Sequence, residues 1–419
     1  MTVPRRNWGD HVIAGRRLHE PRSLDELATV VVGSTHLRVV GTGHTFNDLP
    51  DSRGDLVSLH ALPRRLDVAP DGRVTLDGAT RYVDLCGPLD QQGRALEAMA
   101  SLPHISVAGA CATGTHGSGD RVGSLASAVS AMEVMTAGGE IVRVERATAP
   151  DELDAMAVSL GAMGVVTALT LDTVPSYPMR QDIYEDVALG TVVERLDDIT
   201  ALGHSVSLFT TWQGRRFHQV WCKQRMAEER DPSAIADILG ARPALEPRHP
   251  VPGHDAAACT SQLGLPGPWH ERLPHFRGDH VPSSGHELQS EYLIDRQDAT
   301  TALVALFEAS PGFAAVCQVS EVRTIAADDA WLSPAHGRPS VAIHFTWQPD
   351  RAAVLEALQV VERTIAPFDP RPHWGKLWTM PVERVRASYP RVEAVAAVRD
   401  RWDPGRVFSN RAVEALLGH

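Results

Sequence analysis

Cysteine is scarce in this 419-residue chain: Cys86, Cys111, Cys222, Cys259 and Cys317 are all there is. They lie far apart, with no Cys-x-x-Cys or Cys/His spacing among them, which argues against a disulfide framework and a zinc site. Aromatic residues make up only 5 % of the chain, although nine tryptophans are present and most fall in the second half. Basic residues are the minority, 40 Lys and Arg against 52 Asp and Glu. A formal net charge of −12 argues against a partner such as nucleic acid or an anionic membrane, which requires a basic surface. No apolar run reaches the roughly 18 residues of a membrane span. The N-terminal stretch Met1-Thr-Val-Pro-Arg-Arg-Asn-Trp8 has no apolar centre, so its twin arginines do not read as part of a leader. Internal repeats and low-complexity tracts are also missing. At 43 % hydrophobic and 22 % charged residues, the chain reads as globular. It is long enough for two domains or one large enzyme domain, and a cytoplasmic enzyme is the expectation.

Two glycine-rich stretches stand out. The first is Val39-Val-Gly-Thr-Gly-His-Thr-Phe-Asn-Asp48. Two β-branched residues close an expected strand, and Gly41 and Gly43 then permit a tight path. Its N–H groups converge on one point, as a phosphate or pyrophosphate requires. His44 stands inside that cradle, where its imidazole could attack a bound cofactor. Read alone, a histidine there is more often a surface or hydrogen-bonded residue. The second stretch runs from Ser106 to Gly119, with glycine at 109, 114, 117 and 119 and small hydroxylated residues between. So many small residues cannot fill a core. They let backbone approach a ligand closely, with hydroxyls as further donors; a flexible linker is the alternative.

Around these stretches a helix is expected over 21–32, with Ser23 as N-cap, Asp25 and Glu26 in its first turn, and Leu24, Leu27 and Val31 as its apolar stripe. Strands are expected at 37–40 and 55–59, and a hairpin over 66–76 turning at Pro70-Asp71-Gly72. Residues 82–86 read as a helical turn interrupted by Gly87-Pro88, with a fresh helix from Pro88 to Met99. Residues 131–144 read as a hairpin about Gly138-Gly139, and 168–174 as an alternating strand. The first ~175 residues therefore form an α+β unit, punctuated by Pro175-Ser-Tyr-Pro178.

Beyond that point strands are expected at 205–212 and 218–221, and a proline-rich excursion at 242–252. The segments Trp269–His275 and Glu287–Leu293 precede two alternating strands, 320–325 and 341–347. With a side-chain period of two, Glu321 and Arg323 share one face of the first. Ile343, Phe345 and Trp347 share a face of the second, opposite Ala342, His344 and Thr346. Arg371-Pro-His-Trp-Gly-Lys376 follows, then a last helical stretch ending at Asp403–Asn410. Glu321, Arg323, His344, Thr346 and Lys376 are costly to bury unless they pair or meet a polar ligand. Singly, Glu321 and Arg323 fit a solvated ion pair on a sheet face. Together the five fit a site that turns a hydroxyl into a carbonyl: a base takes the hydroxyl proton, and positive charge stabilises a reduced acceptor such as a flavin. No strand–GxGxxG–helix signature for a nicotinamide cofactor is present.

In order, Gly41-Thr-Gly-His-Thr-Phe-Asn47, Ser101-Leu-Pro-His-Ile-Ser-Val-Ala-Gly109, Ala112-Thr-Gly-Thr-His-Gly-Ser-Gly119, Leu160-Gly-Ala-Met-Gly-Val-Val-Thr167, Glu321-Val-Arg323 and His373-Trp-Gly-Lys376 form a pattern. It resembles the vanillyl-alcohol-oxidase-type FAD-linked oxidases. Within them it is similar to the group acting on alditols such as xylitol and sorbitol, which is related to the sugar-lactone oxidases. The likeness covers essentially the whole chain, including Pro266–Phe276 and Leu288–Leu293.

The resemblance implies an α+β, two-domain FAD-binding fold of the PCMH/VAO type. Residues 1–178 would bind FAD, 179–376 would form a substrate-binding cap on an antiparallel sheet, and 377–419 would complete the FAD domain. It implies FAD attached covalently through His44 and held by Val39, Val40, Gly41, Thr42, Gly43, Thr45, Ser101, Ser106, Gly109, Thr113, Gly114, Thr115, His116 and Val166. It places a polyol on Ser101, Gln289, Glu321, Arg323, Thr346 and Lys376, with His344, Lys376, Arg323 and Glu321 catalytic. A terminal CH–OH would give a hydride to flavin N5, and reduced flavin would turn O₂ into hydrogen peroxide. Aldonolactone oxidation or dehydrogenation on the same scaffold is the alternative, and oxygen reactivity would turn on a small residue such as Ala100. A monomer is expected, with no metal, nucleic acid or membrane partner. Thr42 and Thr45 stand where serines are expected. Cys111 occupies a small-residue position, which would set a thiol near the FAD.

Overall fold

Period-two patterning recurs along the chain, and most of the residues that carry it form two large antiparallel sheets. The computed structural model describes residues 5–280 and 287–418; the N-terminal stretch read for a leader begins outside them. The smaller sheet runs, in spatial order, Leu66–Val68, Val74–Asp77, Val165–Leu171, Val129–Met135, Ile141–Glu145. Both of its hairpins turn where expected, and Gly139 adopts φ +82°, a left-handed conformation that suits glycine. Beside it lies a parallel sheet in the order Leu18–His19, Asp55–Val57, Leu37–Val39. The helix Leu24–Val32 packs Leu27 and Val31 with Leu37, Val57 and Phe408 in a separate core. Its expected cap is present: Ser23 Oγ accepts the Glu26 N–H at 3.1 Å, an interaction worth about 1 kcal/mol.

The larger sheet has nine strands. Across it lie Arg242–Pro243, Pro178–Ala188, Arg216–Arg225, Ser205–Thr210, Cys317–Ile325, Ser340–Trp347, Leu288–Asp295 and Arg371–Pro372, with Gly267–Pro268 also paired to Pro178–Ala188. One face packs beneath helices. Ile343, Phe345 and Trp347 join Leu303, Leu306 and Phe307 of helix Ala299–Ala309 and Val354, Leu358 and Val361 of helix Arg351–Ile365 in the main core. Phe345 and Trp347 stack with ring centroids 5.0 Å apart. The strand Ser340–Trp347 is buried at every position, so its other face is also covered. This overturns the reading of Glu321 and Arg323 as a solvated pair: they are 5 % and 6 % exposed.

The structure departs from the sequence expectations in several places. Residues Tyr82–Gln91 form one helix with Pro88 inside, not two segments. Pro88 removes only the bond to the carbonyl of Asp84, an exposed residue whose oxygen water can reach. Gly93 at φ +71° then stops the helix well short of Met99, and Arg94–Ala95 pairs with Val174–Pro175. Part of the second glycine-rich stretch, Val107–Ala112, is helical, because its alanines carry helix propensity that offsets Gly109. Strand Ser205–Thr210 ends early where Trp212 turns to φ +63°, while the strand expected at 218–221 extends over Arg216–Arg225. After Asn410 the chain continues into the helix Arg411–Leu417, capped by Asn410 Oδ1 accepting the Val413 N–H. No helix among the described residues is long and apolar enough to cross a membrane.

Candidate active site

A cavity of about 380 Å³ brings the two glycine-rich stretches to face the polar side of the large sheet. Every residue marked for cofactor or substrate lines it except Gly114. Gly114 turns aside at φ +64°, with Pro334 Cδ only 2.7 Å from where a Cβ would stand. Ala100 is on the wall. Cys111 is not: it is buried in the main core, where burial pushes its thiol up to about 12, so no thiol lies beside the cavity from this position.

The loop wall is made of backbone and small side chains. A Cβ on Gly41 or Gly109 would stand 2.6 or 2.7 Å from Ser106 Oγ, so both stretches close on that serine. Thr42 Oγ1 accepts the Ser106 N–H at 3.2 Å and contacts His44 Nδ1 at 3.0 Å. The His44 ring stacks on Trp8, centroids 4.4 Å apart and planes at 21°. Burial, reinforced by His104, draws its pKa down to about 4. At neutral pH it is therefore an uncharged imidazole, and its Nε2 is buried without a hydrogen-bond partner. An unspent ring nitrogen on a wall that admits close backbone approach fits an aromatic cofactor carrying an electrophilic carbon.

The strand wall is charged, and its register explains why. Glu321 pairs with His344 and His344 with Glu291, giving one row across Cys317–Ile325, Ser340–Trp347 and Leu288–Asp295. Glu291, buried at the centre, accepts from Lys376 Nζ and from Arg323 Nη2, each at 2.5 Å, and lies 3.2 Å from His116 Nε2. Burial raises the Glu291 carboxyl, but Lys376, Arg323 and His116 together outweigh it and hold the group well below the carboxylate range. Lys376 also donates to His344 Nδ1 at 2.8 Å, and His344 Nε2 meets Thr346 Oγ1 at 3.1 Å. Burial and the neighbouring ammonium draw His344 down to about 4. Burial lowers Lys376 as well, against the pull of Glu291.

Glu321 Oε1 accepts from His275 Nε2 at 2.7 Å, and its Oε2 lies 3.6 Å from Arg323 Nε. Burial raises Glu321, but Arg323 and His275 keep it well below the usual range. Gln289 donates to Glu287 at 2.7 Å. The wall thus alternates acceptors, Glu287 and Glu321, with donors, Arg323, Lys376 and the Gln289 amide.

Sequence reasoning passed over Glu291, Glu287, His275, His373 and Trp8, all of which line the cavity or contact its residues. A signal existed for two of them. In Glu287-Leu-Gln-Ser-Glu291 the period of two sets both glutamates on the face of Gln289. Nothing local marks Trp8 or His275.

Comparison with known proteins adds to this geometry. Residues 16–145 match the family model described as an FAD binding domain, and 286–416 match D-arabinono-1,4-lactone oxidase. An alditol oxidase from Streptomyces sp. (strain IKD472 / FERM P-14339) is 45 % identical, covering all of both chains. An L-gulono-1,4-lactone dehydrogenase from Mycobacterium tuberculosis is 30 % identical over 98 % of each chain. An L-gulonolactone oxidase from Bos taurus is 25 % identical over 95 % of this chain and 94 % of its own.

Proposed function

The chain belongs to the FAD-linked oxidases of the vanillyl-alcohol-oxidase type, and from that premise we propose that it oxidises the terminal CH–OH of an alditol, of the xylitol or sorbitol type, to the aldose. The observation that carries this reading is the charged row Glu321–His344–Glu291, completed by Arg323 and Lys376, facing the glycine-rich wall across one cavity. A polyol offers a ladder of hydroxyls, each both donor and acceptor, and the alternation of acceptors and donors on the strand wall matches that ladder.

Val39 to Thr45, Ser101, Ser106, Gly109, Thr113, Thr115, His116 and Val166 would hold the cofactor, with Gly114 supporting the turn between them. His44 would carry the covalent link. FAD, when bound, supplies the hydride acceptor and passes the two electrons on to dioxygen, giving hydrogen peroxide. The protein's own part is the proton. Lys376 Nζ receives the substrate hydroxyl proton as it hands one of its own to His344 Nδ1, the acceptor already 2.8 Å away. Glu291 Oε2, 3.8 Å from that nitrogen, stabilises the imidazolium. Glu321, Arg323, Gln289, Thr346 and Ser101 hold the neighbouring hydroxyls. In this reading residues 1–178 and 377–419 make the FAD domain, 179–376 the substrate cap, and the protein works as a cytoplasmic monomer.

The test is an absorbance spectrum of the purified protein, before and after acid precipitation, followed by anaerobic xylitol. A flavin spectrum that stays with the precipitate, bleaches with xylitol and yields hydrogen peroxide on aeration is the expected result. Bleaching by L-gulono-1,4-lactone but not by xylitol would replace this reading with aldonolactone oxidation or dehydrogenation. His44→Ala should release its flavin on precipitation; if the flavin stays, His44 is not the link.

A further inference from the structure

A buried lysine behind the site has no part in the chemistry above. Lys223, on strand Arg216–Arg225, is fully buried, and its Nζ donates to the carbonyls of Arg272, Leu273 and Pro274 at 2.8, 2.6 and 2.9 Å. A fourth neighbour, His275 Nδ1, lies 3.1 Å away. Burial draws Lys223 down to about 7 against the pull of Glu321. Three carbonyl acceptors nevertheless call for all three protons of an ammonium, which has no lone pair, so His275 Nδ1 shares one of those protons. Against the ammonium, His275 Nδ1 can only accept, so the single proton of a neutral ring sits on Nε2. Burial keeps that ring neutral, with a pKa near 4. The proton on Nε2 points at Glu321 Oε1, 2.7 Å away. Phe209 and Trp221 set their rings edge-on to His275 at 5.6 and 5.1 Å and fix its plane. The same segment returns to the cavity, since the His275 and Phe276 N–H groups donate to the Ser101 carbonyl at 3.1 and 3.2 Å.

We propose that Lys223 and His275 are positioning residues of the substrate site: the ammonium sets the tautomer of His275, and His275 holds the Glu321 carboxylate toward the substrate hydroxyls. Lys223 thereby governs polyol affinity without touching the polyol. The arrangement follows a common design in which a group behind an imidazole decides which nitrogen carries the proton. It rests on the reading that Glu321 binds polyol hydroxyls.

The test is steady-state kinetics of the flavin-loaded enzyme with xylitol. Glu321 acts on bound and reacting substrate alike, so Lys223→Met should raise KM about tenfold and leave kcat within about threefold. In a Glu321→Gln background the same change should add less than about twofold, because the carboxylate it serves is gone. Equal factors in both backgrounds would mean a merely structural lysine and would overturn the proposal. If Lys223→Met yields no flavin-loaded protein, two His275 variants decide. His275→Gln keeps an N–H toward Glu321 and should stay within about threefold of the parent KM, while His275→Leu should raise it about tenfold. A similar KM for both overturns the proposal. If Glu321→Gln leaves KM unchanged, Glu321 does not hold the polyol and both readings fall. A raised KM in Glu321→Gln but not in Lys223→Met sinks the positioning role alone.

Discussion

The stretches 39–45 and 106–116 meet the cavity mostly with small residues and backbone, joined by Val39, Val40 and the rings of His44 and His116. Strands Leu288–Asp295, Cys317–Ile325 and Ser340–Trp347 meet it with Glu291, Glu321, Arg323 and His344. The first wall recognises by letting a ligand come close, so it is vulnerable to added volume. The second presents charge held in a buried, hydrogen-bonded geometry, so it is vulnerable to lost charge at unchanged shape. On the proposed reading, that difference lets one cavity take a flat cofactor on one side and a small hydroxylated substrate on the other. Each wall should fail in its own way.

The largest separation is expected from Lys376→Met. It removes the proposed proton carrier and should lower the rate of anaerobic flavin bleaching by xylitol about 10³-fold, with flavin content unchanged. Loss of flavin instead would mean that the walls are not independent.

Glu291→Gln keeps the shape but strips the carboxylate from between Lys376 and Arg323. Breaking a buried pair by removing one partner costs on the order of 3 kcal/mol, so thermal denaturation should move down by several degrees. An unchanged Tm would show that the network does not depend on this charge.

Gly78→Ala crowds the proposed cofactor side, where Gly78 lines the cavity beside Val166. A Cβ there would stand 2.1 Å from the Val166 carbonyl oxygen, so the backbone at the cavity must shift. Flavin content per chain should drop by about half or more, while the loaded fraction turns over normally. A full flavin complement with slowed turnover would contradict the division of labour.

Acid should produce the smallest effect near neutrality. His275 and His344 are neutral when folded, their pKa values drawn from 6.5 to about 4. Between those values the unfolded chain binds protons that the folded chain does not, so stability falls as pH drops through this window. The contribution is complete above about 6.5 and spent below about 4. Tm measured from pH 7 to pH 4 should fall, and His344→Gln should flatten the slope. A flat profile for the parent protein would mean that these rings are hydrated and charged.

Much of the site was legible because period two is a strong constraint. In Ser320–Ile325 and Val341–Trp347 it assigned Glu321, Arg323, His344 and Thr346 to faces, and the structure sets all four on the cavity. The glycine-rich stretches were legible for the reason that small residues have little other use. The helix at Val107–Ala112 was not, because glycine and serine content outweighed the alanines in the reading. Pro88 misled in the opposite direction: its cost inside a helix falls when the orphaned carbonyl can reach water.

Side-chain chemistry and spacing along the chain mark which residues can carry charge or allow close approach, and on which face of a strand each stands. These are local properties, set by side-chain chemistry and backbone period. Folding in three dimensions is what sets Glu291 between Lys376 and Arg323, and Lys223 behind His275. Those partners are separated by 85, 32 and 52 positions along the chain. The cost of burying a charge alone is what forces such distant partners together, and no local pattern records which partner a buried charge will find.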